Sequence, residues 1–254
     1  MDPTRLVLLA LAAVLAGAIN SVAGGGSLIS WPAAVAAGLS PVTASATNTV
    51  ALAPGVLASA WAYRRELAGN ARLALLLTAP AALGGLAGAT LLLAAPPRVF
   101  ELVVPWLVLG ATLTLVLKDV LWRKAAAAGG RSTRARVVAV ALGLSLMAVY
   151  GGYFGAGIGV ITLALLALLH RMSIHQMNAM KTVITGGLNG VAAVYFLSRG
   201  AAHLPAAGAM LVGSLSGGFG GAALARRVDP KKVRWLVVAI GVLLSGGLAV
   251  RYWG

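Results

Sequence analysis

The chain contains no cysteine and only five acidic residues, against twenty lysines and arginines in 254 residues. The absence of cysteine excludes disulfides and thiolate metal sites. Charged residues make up only 10% of the chain, whereas a soluble domain carries about 25%. All five acids lie in loops or at the edges of apolar segments, so any cavity within those segments is expected to be neutral to positive.

Hydrophobic residues, by contrast, make up 60% of the chain and gather in long runs. The runs 73–95, 99–117 and 232–250 have about the 20 residues that an α-helix needs to span a bilayer. They are too long and too uniformly apolar for barrel strands, and open backbone is not tolerated in lipid. We therefore predict an all-α polytopic membrane protein embedded in the lipid bilayer.

The net charge of +15 could indicate a nucleic-acid partner. The basic residues instead separate the apolar runs, as in short cytoplasmic loops, and no nucleic acid is expected. The three histidines, His170, His175 and His203, lack the spacing of metal ligands, so neither a metal nor another cofactor is expected. The first 18 residues resemble a signal peptide, but their counterpart later in the chain indicates a retained segment.

The sequence repeats at an offset of 133 residues, and one register holds without a gap over most of each half. Matched pairs include Gly24 with Gly157, Gly26 with Gly159 and Pro97 with Pro230. We divide the chain into a first transmembrane repeat (1–120), a cytoplasmic basic linker (121–136) and a second transmembrane repeat (137–254). The Ala-Ala-Gly-Gly-Arg centre of the linker is typical of a flexible loop.

Each repeat is predicted to contain a broken or re-entrant helical hairpin followed by three transmembrane helices. The hairpins are 6–38 and 137–170, and the spans are 42–63, 73–95, 99–117, 175–197, 203–224 and 233–252. If each hairpin returns to its starting side, the basic residues outside the spans fall on one side of the membrane, with four exceptions: Arg5, Arg98, Arg199 and Arg251.

This asymmetry is what the positive-inside rule expects of the cytoplasmic side. If each first segment crossed once instead, the asymmetry would largely vanish. The two repeats are therefore predicted to be inverted, and both termini are predicted to lie outside the cytoplasm.

Glycines mark the two hairpin turns. Gly24, Gly25 and Gly26 interrupt the first apolar segment, and Gly155, Gly157 and Gly159 occupy the corresponding part of the second. Each glycine costs about 1 kcal/mol in a helix interior, but glycine permits the backbone angles that a turn requires. The alternative is that these glycines only allow close helix packing. We assign that role to the glycines of 84–88 and 217–221, which could equally serve a homodimer.

Inverted repeats with discontinuous helices are a recurring transporter design, with the site near the midplane. Helices that begin at Ser27 and near Val160 would point free N–H groups at that point, which favours an anion. Polar residues at the start of the first full span of each repeat would line the same cavity. The expected site residues are Gly24, Gly25, Gly26, Ser27, Thr47, Asn48, Gly157, Gly159, Asn178 and Lys181.

Lys181 is the only charged residue well inside a predicted span. A buried cation in a membrane indicates a functional site by default, although Lys181 could also snorkel to the cytoplasmic interface. Asn20, Ser21, Asn189, Tyr150 and Tyr153 are secondary candidates that could equally be interhelical hydrogen-bonding residues. The spans contain no Ser–His, metal-ligand or paired-carboxylate arrangement, so the chain is not expected to be an enzyme.

Two longer motifs resemble the sulfite exporter TauE/SafE family of bacterial membrane proteins. They read GAINSVAGGGSLISWPAAVAAGLSPVTASATNTVA and GGYFGAGIGVITLALLALLHRMSIHQMNAMKTV, and the resemblance covers essentially the whole chain. It implies transport of small sulfur or carbon oxyanions such as sulfite or sulfoacetate. The second turn, Gly-Ala-Gly-Ile-Gly-Val, is poorer in glycine than the family pattern leads us to expect.

The function expected is a secondary transporter that exports a small anion, a sulfur oxyanion or organosulfonate, across the inner membrane by alternating access. The N–H groups of the turns, Asn48, Asn178 and Lys181 would bind the anion. The alternative is an anion-selective channel, since broken helices with N-termini at the midplane serve channels equally well. Uniport and proton-coupled transport both remain open.

Overall fold

The computed structural model describes residues 1–22, 25–67, 69–128, 133–169, 172–224 and 230–253. Within these ranges the regular structure is helical, and no strand occurs, which confirms the all-α prediction. The described residues form ten helices: α1 (Pro3–Val22), α2 (Ser27–Ala36), α3 (Pro41–Ala62), α4 (Ala71–Ala94), α5 (Pro97–Ala128), α6 (Arg134–Tyr153), α7 (Ile158–Ala167), α8 (Ile174–Ser198), α9 (Leu204–Leu224) and α10 (Pro230–Trp253).

Several helices begin where the sequence supplies a cap. The Ser40 side chain accepts a hydrogen bond from the Thr43 amide at the start of α3, with Pro41 in the first turn. Ser173 and Gln176 form a reciprocal capping box at the start of α8. Such caps satisfy amides that have no partner within the helix, and they fix where the first full helix of each half begins.

Six helices are long and apolar enough to cross a membrane, which supports the multi-pass prediction. The six apolar segments are Pro3–Asn20, Ala71–Ala94, Pro97–Leu121, Arg134–Tyr153, His175–Ser198 and Lys232–Trp253. Four of them correspond to expected spans, whereas α1 and α6 belong to the expected hairpins. The expected span 42–63 forms α3, with 22 residues, but its Thr, Ser and Asn residues lower its apolar character. In α9 the apolar part is Leu204–Gly218.

The first two helices fold back on each other. The Arg5 guanidinium, near the start of α1, donates a hydrogen bond of 3.1 Å to the carbonyl of Ala37, just after the end of α2. At the other end, the Asn20 side chain accepts a hydrogen bond from the Gly26 amide. These contacts show that α1 and α2 run antiparallel, so the first apolar segment is a helical hairpin.

The helices α6 and α7 form a second hairpin. The Thr162 hydroxyl lies 4.0 Å from the Met147 sulfur, and a Cβ at Gly143 would lie 2.9 Å from the side chain of Leu165. A rising residue number in α6 thus pairs with a falling one in α7, and the two helices run antiparallel. The two hairpins occupy the same place in their halves, because α2 begins at 27 and α7 at 158.

Each hairpin packs on the other half of the chain through glycines. In α1 and α9, Ala10 faces Gly213 and Val14 faces Gly217, so these helices run parallel. In α4 and α6, Gly84 faces Ser145 and Gly88 faces Val149, so these helices also run parallel. The described glycines of both expected packing faces thus contact other helices of the same chain. A homodimer stays a prediction.

The long helix α5 packs against α10 in the opposite direction. Arg98, at the start of α5, donates to the carbonyl of Tyr252 at 3.1 Å, and Asp119 forms a 2.7 Å ion pair with Arg234 near the start of α10. Helix α5 continues to Ala128, through the first part of the expected linker, because alanine favours helix strongly. The centre of that linker, 129–132, lies outside the described residues.

Candidate functional site

One stretch of α5 contacts both glycine turns. A Cβ placed on Gly25 would lie 2.8 Å from a methyl group of Leu115. A Cβ placed on Gly157 would lie 2.8 Å from the Thr114 hydroxyl and 3.5 Å from the Ala111 Cα. The two hairpin turns therefore meet at a single turn of α5, which brings the breaks of the two halves to one region of the molecule.

The backbone at these breaks requires glycine. Gly25 has φ of +88°, Gly155 of +85° and Gly157 of +77°, all in the left-handed region that side chains with a Cβ avoid. The expected role of Gly25 and Gly157 as turn residues is thus supported by their geometry. Gly24, another expected site residue, lies outside the described residues.

The start of α2 is largely occupied by internal hydrogen bonds. The Gly26 amide donates to the Asn20 side chain at 2.8 Å, and the Leu28 and Ile29 amides donate to the carbonyls of Gly25 and Gly26. The first turn of this helix retains few donors for a ligand. Sequence reasoning treated Asn20 as a secondary candidate, and the structure gives it a capping role.

The start of α7 differs from the start of α2. Among the described residues, no acceptor pairs with the amides of Gly157, Ile158 and Gly159, and the first bonded amide is that of Val160, which donates to the Gly157 carbonyl at 3.1 Å. Gly157, the N-cap residue, has no side chain with which to cap the helix. Free amides at a helix N-terminus bind anions, because the amides and the helix dipole both favour negative charge.

Lys181 lies against this free helix start. A Cβ on Gly159 would be 3.6 Å from Cδ of Lys181, so the lysine stem crosses the first turn of α7. The Lys181 ammonium donates a 2.9 Å hydrogen bond to the Asn178 side chain one turn earlier on α8. The structure thus brings together four of the expected site residues: Gly157, Gly159, Asn178 and Lys181.

The corresponding polar residues of α3 are engaged in packing between helices. The Ser30 hydroxyl of α2 donates to the Asn48 side chain at 2.6 Å, and Asn48 is buried. The Thr47 hydroxyl, also buried, accepts a 3.0 Å hydrogen bond from the His203 amide before α9. Asn48 thus lies beside α2, near Gly26 and Ser27, whereas Thr47 holds the start of α9.

The environment of Lys181 contains no paired acid. Within the part of the chain that the structure describes, ion pairs form only on Asp2, Glu101 and Asp119, and none of them involves Lys181. The same part contains no group of acids and histidines able to hold a metal ion. The charge beside the start of α7 is therefore positive, as the scarcity of acids predicts.

Aromatic side chains fill the space between the breaks and the end of the molecule where α5 begins. Trp31 of α2 packs edge-on against Phe154, with ring centroids 5.5 Å apart, and lies 6.3 Å from Phe100. Tyr153 lies 5.3 Å from Phe100. All four rings are buried. We call these residues, Trp31, Phe100, Tyr153 and Phe154, the aromatic cluster.

The sequence matches the family model of the sulfite exporter TauE/SafE family over residues 9–248. The chain belongs to the sulfite exporter TauE/SafE family. Among its TauE/SafE relatives, the probable membrane transporter protein YfcA of Escherichia coli K12 is 26% identical, covering 98% of this chain and 91% of the relative. The probable membrane transporter protein ORF9 of Sinorhizobium sp is 27% identical, covering 94% and 90%. No solved structure matches the chain.

TauE/SafE membership, the names of the relatives and six long apolar helices make this chain a multi-pass membrane transport protein. The sequence did not reveal that α5 contacts both glycine turns. Ala111, Thr114 and Leu115 lie within a uniformly apolar run, and only the packing shows that they face the glycine turns. Thr112 and Thr114 are the two polar residues of this stretch, and the sequence does not show which of them faces the turns.

Proposed function

We propose that the chain is a secondary transporter that exports a small anion, a sulfur oxyanion or organosulfonate, across the bacterial inner membrane by alternating access. The observation that carries the proposal is the uncapped start of α7 beside the Lys181 ammonium. Amides and ammonium supply donors and positive charge, and Asn178 orients the lysine. A sulfonate or sulfite group offers the several acceptor oxygens that such a site requires.

The direction of the helices supports inverted repeats. Helices α5 and α10 occupy equivalent places in the two halves and run antiparallel. The equivalent helices α3 and α8 are also antiparallel, since Thr47, early in α3, lies beside His203 beyond the end of α8, while Val56, later in α3, faces Gly186 in the middle of α8. Two halves related in this way form two matching sets of packing surfaces, which is the arrangement that alternating access uses.

The distribution of basic residues supports an orientation. Arg98 lies beside Tyr252, next to Arg251, at one end of the α5–α10 pair. The opposite end carries Arg234, and the basic residues that follow Lys118 along α5. By the positive-inside rule this richer end faces the cytoplasm, so the aromatic cluster lies between the proposed site and the outside.

Export of an anion from a negative-inside cell needs no coupling ion. Each negative charge moves downhill by about 2.3 kcal/mol per 100 mV. A uniport mechanism therefore agrees with the absence of buried acids among the described residues of the spans. The aromatic cluster favours a transporter over a channel, because its four rings are buried and packed against one another and would have to move for an anion to pass between them.

The test is efflux of radiolabelled sulfite from proteoliposomes that contain the purified full chain. We expect saturable efflux that sulfoacetate inhibits, and we expect Lys181→Gln to reduce it by at least about tenfold, as for the loss of one charged contact. Lys124→Gln is the matched control, because it removes one exposed lysine from the basic end of α5.

Three results would contradict the proposal. One is that none of the anions leaves the proteoliposomes faster than it leaves liposomes without protein. A second is equal efflux from the Lys181 and Lys124 variants, which would remove Lys181 from the site. A third is flux that rises linearly with substrate without saturation, which would identify a channel.

A further inference from the structure

Lys118 is a second cation on the face of α5 that contacts the glycine turns. It lies four residues after Thr114, which faces Gly157, and three after Leu115, which faces Gly25. Side chains three and four residues apart share one helix face. Lys118 therefore projects from the same side of α5 as both contact residues, one turn closer to the basic end. Its side chain is half-buried.

Lys118 and Lys181 approach the same part of the molecule. Thr114, one turn before Lys118, faces Gly157, and the stem of Lys181 lies 3.6 Å from the Cβ position of Gly159, two residues later. Two like charges placed in this way repel each other. The two lysines reach this region from different helices, Lys118 from α5 and Lys181 from α8 over the first turn of α7. Two cations held together in a partly dry environment are costly, and a bound anion between them removes the cost.

Within the described part of the chain, the acid that acts on this pair is Asp119. Asp119 follows Lys118 directly, but its carboxylate is held by the Arg234 guanidinium at 2.7 Å. Lys118, Lys181 and Arg234 are three cations, and Asp119 is the one carboxylate among these four groups. The balance stays positive by two charges when Asp119 is counted.

We propose that Lys118 binds the substrate together with Lys181, and that the pair selects doubly charged oxyanions over singly charged anions of similar size. This inference rests on the proposed function, because it concerns the same site at the start of α7. A dianion neutralises both ammonium groups, whereas a monoanion leaves one of them without a partner. Hydrogen bonds between ionised groups are about twice as strong as neutral ones, so the second charge has a measurable effect.

The experiment compares two anions of matched shape. Thiosulfate and methanesulfonate both present three oxygens on a tetrahedral sulfur, but thiosulfate carries two charges and methanesulfonate one. Their dissociation constants are measured by titration calorimetry on the purified full chain in detergent, at one fixed ionic strength. The variants are Lys118→Gln, Lys181→Gln and, as the exposed control on α5, Lys124→Gln.

We expect the wild type to bind thiosulfate at least about tenfold more tightly than methanesulfonate, as one additional charged contact would give. Lys118→Gln should remove most of this preference by weakening thiosulfate binding, and Lys118→Arg should retain it. Lys124→Gln should leave both constants unchanged. Lys181→Gln should weaken the binding of both anions, because it removes the positive charge closest to the free amides of α7.

Equal binding of the two anions by the wild type overturns the inference, and so does an unchanged preference in Lys118→Gln. In either case the proposed function survives if Lys181→Gln still weakens binding. If no anion binds the wild type, both fail. If Lys118→Gln does not fold, the test uses the wild type and Lys118→Arg. The inference then requires that both bind thiosulfate more tightly than methanesulfonate, and loss of this preference in Lys118→Arg contradicts it.

Discussion

Substituting Gly157 by alanine tests whether the turn before α7 is as tightly constrained as its geometry indicates. The left-handed backbone of this residue, with φ of +77°, costs a residue with a Cβ about 1 kcal/mol. The new Cβ would also lie 2.8 Å from the Thr114 hydroxyl. That hydroxyl must rotate away and lose its 2.7 Å bond to the Ala111 carbonyl, which costs about 1 kcal/mol more.

We therefore expect Gly157→Ala to lower the free energy of unfolding by about 2 kcal/mol, from the backbone and hydrogen-bond terms together. The measurement is equilibrium unfolding of the purified protein in detergent, followed by circular dichroism. Gly110→Ala is the matched control on α5, because it is helical and meets no atom within 4 Å. Its expected effect is slight stabilisation, since alanine is the better helix former.

A double variant separates the two contributions. Thr114→Ala removes the obstructing hydroxyl, so Gly157→Ala in that background should cost only the backbone part, about 1 kcal/mol. The two substitutions should thus be non-additive, as expected for residues in contact. If Gly157→Ala destabilises the protein no more than Gly110→Ala does, the turn at Gly157 is not constrained by α5. The arrangement of the proposed site would then also be wrong.

Three further substitutions probe other parts of the structure. Asn20→Ala removes the cap on the Gly26 amide and should lower the free energy of unfolding by about 1 kcal/mol, measured in the same way. Gly88→Leu should abolish folding or reduce stability strongly, since a side chain there collides with the Val149 backbone, and the yield of monodisperse protein reports it. Trp31→Ala opens the aromatic cluster and should add a non-saturating leak of anions to efflux from proteoliposomes.

Each of these has its own control or refuting result. For the cap, Ser198→Ala removes an exposed hydroxyl bonded only within its own helix and should have little effect. For the close approach, Gly246→Leu introduces the same side chain where no atom lies within 4 Å and should fold. Strictly saturable efflux in the Trp31 variant, at the wild-type rate, would show that the cluster does not close the pathway.

The helical segments could be predicted well because they depend on local properties. Runs of apolar residues, the Ser40 and Ser173 caps and the glycine breaks all act within a few residues of one another, and the structure follows them. The extent of α5 as a helix depends on residues beyond the apolar run, where basic residues follow Lys118. The helix continues to Ala128, since alanine and leucine favour helix beyond the apolar run.

The site could be predicted only in part, because it depends on contacts between distant residues. Lys181 is a candidate from the sequence because a charge inside an apolar segment is rare, and its role in a site stays a prediction. The difference between the two hairpins was not foreseeable from the repeat. Asn20 caps α2, whereas the residue that matches it at the repeat offset is Tyr153, which instead packs in the aromatic cluster. The start of α7 is thus left free by one change between equivalent positions.

The central claim is that an anion binds at the start of α7 beside Lys181. The most direct measurement is the thermal stability of the purified protein as a function of sulfite concentration, for the wild type and Lys181→Ala. A ligand present at 100 times its dissociation constant raises the free energy of unfolding by about 2.7 kcal/mol. The account predicts that sulfite raises the melting temperature of the wild type in proportion to the logarithm of its concentration, and that the variant loses this response. An equal response in both proteins, or none in the wild type, would contradict it.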